Sequence, residues 1–433
     1  MLHAPVVIAA DYAGTFEVGD TSELRARISS QATGGQSGES GMDAYTQPRV
    51  RLRVATRDDW EFVFGNAPIL TWDNIELGAC SDCFTFYDTL DASVGWHDRT
   101  VSISLNEYAS AGWFNTAVGP LPQVTPTTSQ MPGQMPTQMP TQMPTQMPPP
   151  QLLVPNKASA PASAVIVSES THTALTLRAQ PDRVDWLSLE IAYLTSGGLD
   201  AKSRTYFPEQ YGPRADASFS HALSRRDQAV TLAYAAAAQF TSGQCYDSVT
   251  GAVGTGQCSP EAQVAQISEG IRHTIDRATT LSADVGIAGT RTRSTDSVSY
   301  EENLYPVGSL EVAQHFGLES KSSILLGTYI APVLDWRTGI VNERLRGHIA
   351  LTEALTARAT VRATVDGSQT IPTDAPLATS LIGGLAEVVY QSSRNVLLTV
   401  GLRAWWQEQA QFGTYSSYVL YFDVTARAPA LRF

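Results

Sequence analysis

The 433-residue sequence predicts an all-β chain closed into a single antiparallel transmembrane β-barrel of about eighteen strands. Three observations lead there. Along most of the chain, polar and apolar side chains alternate with a period of two, which gives strands with unlike faces. Connections alternate between short turns rich in Asp, Arg and Ser and long variable loops. Charges within the candidate strands fall on one face, as a wall that touches lipid requires.

Composition agrees. The chain is 43% hydrophobic and 16% charged, low in charge for a soluble protein of this size. No window approaches ~18 uninterrupted apolar residues, so a helical membrane span is excluded. The formal net charge of −13 argues against nucleic acid as a partner. The opening MLHAPVVIAADYA lacks the basic and long apolar regions of a signal peptide. The numbering is therefore expected to begin near the mature protein, or the gene start to be truncated.

The strands follow in order. ELRARIS sets Arg25 and Arg27 opposite Leu24, Ala26 and Ile28, and a Gly/Ser loop leads to RVRLRVA, where Arg49, Arg51 and Arg53 oppose Val50, Leu52 and Val54. After the turn RDD, WEFVF carries Trp60, Phe62 and Phe64 on one side. A longer loop precedes LDASVGW, the turn HDR and TVSISLN. Residues 109–165 interrupt the pattern, and hairpins then resume about the turns QPDRVD, SRRDQ, DRAT, GLESKS, TEALT and QSSRN. In the TEALT hairpin Arg344, Arg346 and His348 alternate with Leu345, Gly347 and Ile349, and Arg358 and Arg362 with Ala359 and Val361. The last strand puts Tyr418, Leu420 and Phe422 opposite Tyr421, Asp423 and Arg427, and Pro429 is expected to mark a bulge or the end of pairing. Gln314 is the exception to the face rule, and Trp60, Trp96, Trp186 and Trp406 near strand ends fit interfacial girdles.

The chain is thus expected to be one barrel over 1–433, with 109–165 a long Pro/Met-rich extracellular loop. Met131, Met135, Met139, Met143 and Met147 repeat at a fixed spacing among prolines, which excludes helix and sheet. Evenly spaced thioethers suit Cu(I), but with no His or Cys in the run a spacer is favoured. Cys245 and Cys258 flank a Gly/Ser/Thr-rich segment and are read as a disulfide tying off an exported loop. Cys80 and Cys83 form a C-x-x-C for which a small loop disulfide is favoured over a metal or redox half-site.

At Phe433, preceded by Leu431, the chain resembles Gram-negative outer-membrane β-barrel proteins, whose last strand usually ends in an aromatic residue. The strand number is similar to that of the larger substrate-selective porins and of barrels proposed to pass secreted polysaccharide. The resemblance implies residence in the outer membrane, in contact with its lipid, and recognition of Phe433 by the barrel assembly machinery.

A barrel this wide holds an aqueous channel, a plug or inward-folded loops. Arg25, Arg27, Arg49, Arg51 and Arg53 lie on the first two strands, and Arg344, Arg346, Arg358, Arg362, Arg403 and Arg427 on the last few. Closure is expected to join them into a basic wall along the lumen, biasing passage toward anionic or polyhydroxylated solutes. The alternative is that Asp91, Glu190, Asp284 and Glu311 across the lumen pair with these arginines and brace the barrel. The expected function is a passive outer-membrane channel for anionic or sugar-like solutes, with polysaccharide export as one specific form. That form needs a periplasmic partner, because no nucleotide motif supplies energy. The alternative is a barrel that anchors surface-interaction loops without an open pore. His221, His273, His315 and His348 are read as lumen-facing structural residues; no Ser elbow or H-E-x-x-H accompanies them, so neither a catalytic set nor a cofactor is expected.

Overall fold

The computed structural model describes residues 12–31, 39–73, 84–115, 165–200, 203–204, 209–241, 245–246, 253–254, 261–293, 300–316, 322–335, 340–371, 379–409 and 413–432. The Pro/Met run, Cys80, Cys83, Cys258 and Phe433, with the side chains of Arg27 and Cys245, lie outside these residues.

In chain order the strands are β1 (Tyr12–Gln31), β2 (Glu39–Thr56), β3 (Trp60–Asn66), β4 (Ile69–Asp73), β5 (Phe84–His97), β6 (Val101–Asn115), β7 (Val165–Ala179), β8 (Asp185–Gly198), β9 (Glu209–Ala222), β10 (Asp227–Thr241), β11 (Cys245–Tyr246) and β12 (Val253–Gly254). They continue as β13 (Glu261–Thr274), β14 (Thr279–Arg293), β15 (Glu301–Phe316), β16 (Ser322–Asp335), β17 (Ile340–Ala354), β18 (Ala359–Ile371), β19 (Thr379–Ser393), β20 (Val396–Gln409), β21 (Gly413–Arg427) and β22 (Leu431–Arg432). β3 and β4 form one span, since β2 and β5 each pair with both. Pro68, which has no N–H, separates them. β22 rejoins β1 past a short break at Pro429, before which the Ala428 N–H still bonds the Val18 carbonyl at 2.8 Å. β11 and β12 make a small hairpin of their own.

Among the described residues the wall therefore has eighteen antiparallel spans, and it closes where β1 pairs with both β2 and β21. The expected boundary of the long loop moves. β6 runs on through Asn115, because Ala109, Ala111 and Trp113 still alternate with Ser110 and Gly112. The small side chains had hidden that periodicity.

Large apolar side chains such as Phe62, Phe64, Leu105, Ile191, Val285 and Phe422 share one face and stay exposed. An exposed apolar belt of this size is the lipid-facing surface of an outer-membrane barrel. Trp60 stands opposite Trp96 at the short-turn end, and Trp72 and Trp113 are exposed at the other, giving two aromatic levels. Trp406 shares the outer face with Ile382. Trp186 does not join a girdle: it alternates with exposed Leu187 and faces inward opposite Ser220.

Gln314 lies on the outer face with Leu310, as expected. Carboxylates stand there too. Glu107 shares the face of exposed Leu105 and accepts a hydrogen bond from Thr173 Oγ1; Glu269 shares that of Ile267 and accepts one from Thr231 Oγ1 at 2.9 Å. Asp20 accepts from Ser22 Oγ at 2.7 Å and Thr46 Oγ1 at 2.8 Å. Threonine and serine side chains thus supply the donors that lipid cannot.

The short turns share one construction. Asp98 Oδ1 accepts the N–H groups of Thr100 and Val101 at 2.7 and 2.9 Å, and Asp182 Oδ1 those of Val184 and Asp185, both at 2.8 Å. Asp276 Oδ1 takes those of Ala278 and Thr279 at 2.7 and 2.8 Å. These backbone donors hold all three carboxyls below their ordinary value. Ser224 and Thr356 play the same part with hydroxyls.

Candidate lumen site at the closure seam

Register places the predicted arginines. Arg25 on β1 faces Asp43 on β2 and Tyr421 on β21, at the seam where the first and last strands meet. Glu23, two residues before Arg25 on the same face, is almost fully buried and binds two guanidiniums: Arg25 beside it, and Arg403 on β20, whose Nη2 lies 3.2 Å from Glu23 Oε2. From there the contacts run on along the wall. Arg403 stacks on the Tyr421 ring at 4.1 Å, the Tyr421 hydroxyl donates to Glu387 Oε2 at 2.7 Å, and Arg362 Nη1 stands 3.4 Å from Glu387 Oε1.

The remaining predicted arginines divide. Arg53 Nη2 donates to Glu61 Oε2 at 2.9 Å, and its Nε stands 2.6 Å from Glu61 Oε1 as an ion pair. Arg49 donates to Gln47 Oε1 at 2.7 Å. Arg51 is exposed and faces Glu17 in register. Arg344 and Arg346 share the inner face of β17, and Arg346 lies 5.5 Å from the Tyr329 ring. Arg27 faces Gly41 and Val419 along the backbone. Arg427 ends β21, exposed. Arg358 is not on a strand; it lies in the short turn before β18, where its N–H bonds Thr356 Oγ1 at 3.1 Å. The hydroxyl cap had shifted the strand start by one residue.

Bracing across the lumen takes a different form from the one expected. Arg25, Arg53, Arg362 and Arg403 are held by Glu23, Glu61 and Glu387 in the same stretch of wall. Of the four acids expected to brace them, Asp284 accepts from Ser309 Oγ and Glu190 from Thr176 Oγ1 at 3.4 Å. His221 and His273 are corrected too. They share the outer face with Phe219 and Ile271 at the short-turn rim, where they bind Asp185 at 2.6 Å and Asp227 at 2.7 Å. His315 and His348 face inward.

Sequence reasoning missed the tyrosines. Arg25 lies over Tyr45 at 4.5 Å, and Arg214 lies 5.7 Å from the Tyr234 ring, so among the described residues four arginine–tyrosine pairs face the lumen. Each joins neighbouring strands. Their signal was present: Tyr45, Tyr234, Tyr329 and Tyr421 all fall on the polar, inward parity. A ring face takes the apolar side of a sugar, while the guanidinium beside it takes a carboxylate or hydroxyls.

A family model described as the EpsX exopolysaccharide export family matches residues 121–416. No curated protein matches the chain. Among solved structures, the FrpB iron transporter from Neisseria meningitidis (F3-3 variant) is similar with a TM-score of 0.52 at 9% identity, over 91% of this chain and 62% of that one. The chain thus spans about three fifths of that protein's length. Pseudomonas aeruginosa OccK9 (OpdG) is similar with a TM-score of 0.50 at 11% identity, over 96% of this chain and 98% of that one. Likeness at such identities concerns the barrel fold.

Proposed function

The chain belongs to the EpsX exopolysaccharide export family, and from that premise we propose that its barrel is the conduit through which a secreted, acidic polysaccharide crosses the outer membrane. The observation that supports this most is the set of arginine–tyrosine pairs on the inner wall, two of them meeting at the closure seam. Such pairs offer a sugar polymer successive weak holds, each of which it can leave. Arg25, Arg27, Arg49, Arg51, Arg53, Arg344, Arg346, Arg362 and Arg403 line this path in the proposal, with Arg358 and Arg427 at its periplasmic mouth. The whole chain acts as one barrel domain, and its role is passage and not catalysis. A periplasmic partner delivers the polymer, and the barrel assembly machinery reads Phe433.

Purified barrel in a planar bilayer, under a potassium chloride gradient, tests the reading. Anion-selective steps that are blocked by an oligouronate and not by a neutral oligoglucan of equal length are the expected result. Cation-selective steps indifferent to both sugars would discard the acidic cargo. A second reading, a barrel that only anchors surface loops, is favoured by the apolar packing of Val341 against Ala262 and Val264 inside the barrel. A silent bilayer would give it precedence.

A further inference from the structure

The β15–β16 ladder ends early. It runs from Phe316–Ser322 to Gly308–Ile330, while β15 continues to pair with β14 as far as Glu301 and β16 continues to pair with β17 as far as Asp335. Continued by two residues, the same register would set Pro306 opposite Pro332. Neither has an N–H to give, so the ladder stops there and the β16–β17 tip, residues 331–335 and 340–344, is released from the wall.

Its destination is inside the barrel. Val341 on β17 is buried, 8% exposed, in a cluster with Tyr234, Ala236 and Ala238 of β10 and Ala262 and Val264 of β13. In the wall, β13 and β17 are four strand spacings apart, roughly 19 Å, so the contact requires the tip to cross on the lumen side. Tyr305 packs on the same cluster and donates its hydroxyl to the Val341 carbonyl at 3.1 Å. Ala331, on the other arm, joins Ala288 and Val307, which are 0% and 1% exposed. Inward positions of a wide barrel are ordinarily polar, so the small apolar side chains here are the seat of the tip.

We infer that this tip is a fixed constriction that fills the β10–β15 side of the lumen and confines traffic to the seam formed by β18–β21, β1 and β2. A path held to that side passes Arg25 over Tyr45 and Arg403 over Tyr421. It admits a slender, flexible acidic saccharide chain and turns away wide solutes. The inference rests on the conducting reading above.

Two variants test it in planar bilayers, with potassium chloride conductance and exclusion of graded polyethylene glycols as readouts. Val341→Asp puts a charge into the apolar seat and frees the tip. Pro306→Val with Pro332→Val restores both donors and lets the ladder continue, drawing the tip back into the wall. Gel mobility of unheated samples confirms folded barrels, and the proline pair serves if Val341→Asp does not fold. Both variants are expected to conduct about twofold more than the wild type and to admit larger glycols. A silent wild type with conducting variants would overturn the open seam, because the tip would then seal the lumen and not narrow it. A conducting wild type whose folded variants match it in both readouts overturns the constriction and leaves the conduit standing. Silence from all three folded barrels removes the conduit and the constriction together.

Discussion

Glu107 and Thr173 are hydrogen-bonded on the face of the barrel that meets lipid, facing each other in register across β6 and β7. The threonine hydroxyl softens the cost of a carboxylate between the two aromatic levels without removing it.

Replacing Glu107 or Glu269 by Leu is therefore expected to stabilise the barrel by about 1 kcal/mol each. Urea unfolding in lipid vesicles measures it. A loss of stability would show that the carboxylate does something in the membrane beyond being tolerated there.

At the seam the sign is opposite. Glu23→Ala leaves Arg25 and Arg403 without the buried carboxylate they share, and a destabilisation of about 3 kcal/mol is expected. Adding Arg403→Met should recover part of it. A double variant no better than the single would mean that Glu23 matters through packing alone.

Selectivity should follow the inward arginines. Arg51→Glu with Arg346→Glu is expected to lower the anion preference of the pore and shift the reversal potential under a salt gradient toward the cation limit. An unchanged reversal potential would place the current elsewhere.

The turn aspartates give a pH signature. Backbone N–H groups depress the carboxyls of Asp98, Asp182 and Asp276, so their contribution to stability is complete above the ordinary carboxylate range near ~4 and is lost as pH falls through the lower folded values. The triple Asp→Ala variant should be less stable than the wild type at neutral pH, and the two should converge in strong acid. Parallel urea curves at every pH would contradict this.

Much of the fold was legible because its signals are local. A period of two, a turn of a few residues and the parity of a charge can each be read without knowing which strand is the neighbour. The Glu23–Arg25 contact went unread, although the two lie on one face two residues apart. What depends on register was not legible. Nothing near Glu23 announces Arg403, and Pro306 and Pro332 acquire meaning only once β15 and β16 are aligned. His221, His273 and Trp186 were misassigned by residue type: in an unbroken register the two histidines keep the outward parity of Phe219 and Ile271, and Trp186 takes the inward parity opposite to Leu187.

The Arg403–Glu23 pair joins residues 380 positions apart. In kinetic terms such a contact is the last to become available, since every intervening hairpin must be in place before β21 can meet β1. Until then the sheet has two open edges, ready to pair with any strand nearby. The buried carboxylate on the first strand thus works as a completion mark: it waits through the making of almost the whole wall, and its second guanidinium arrives only when the ring is shut.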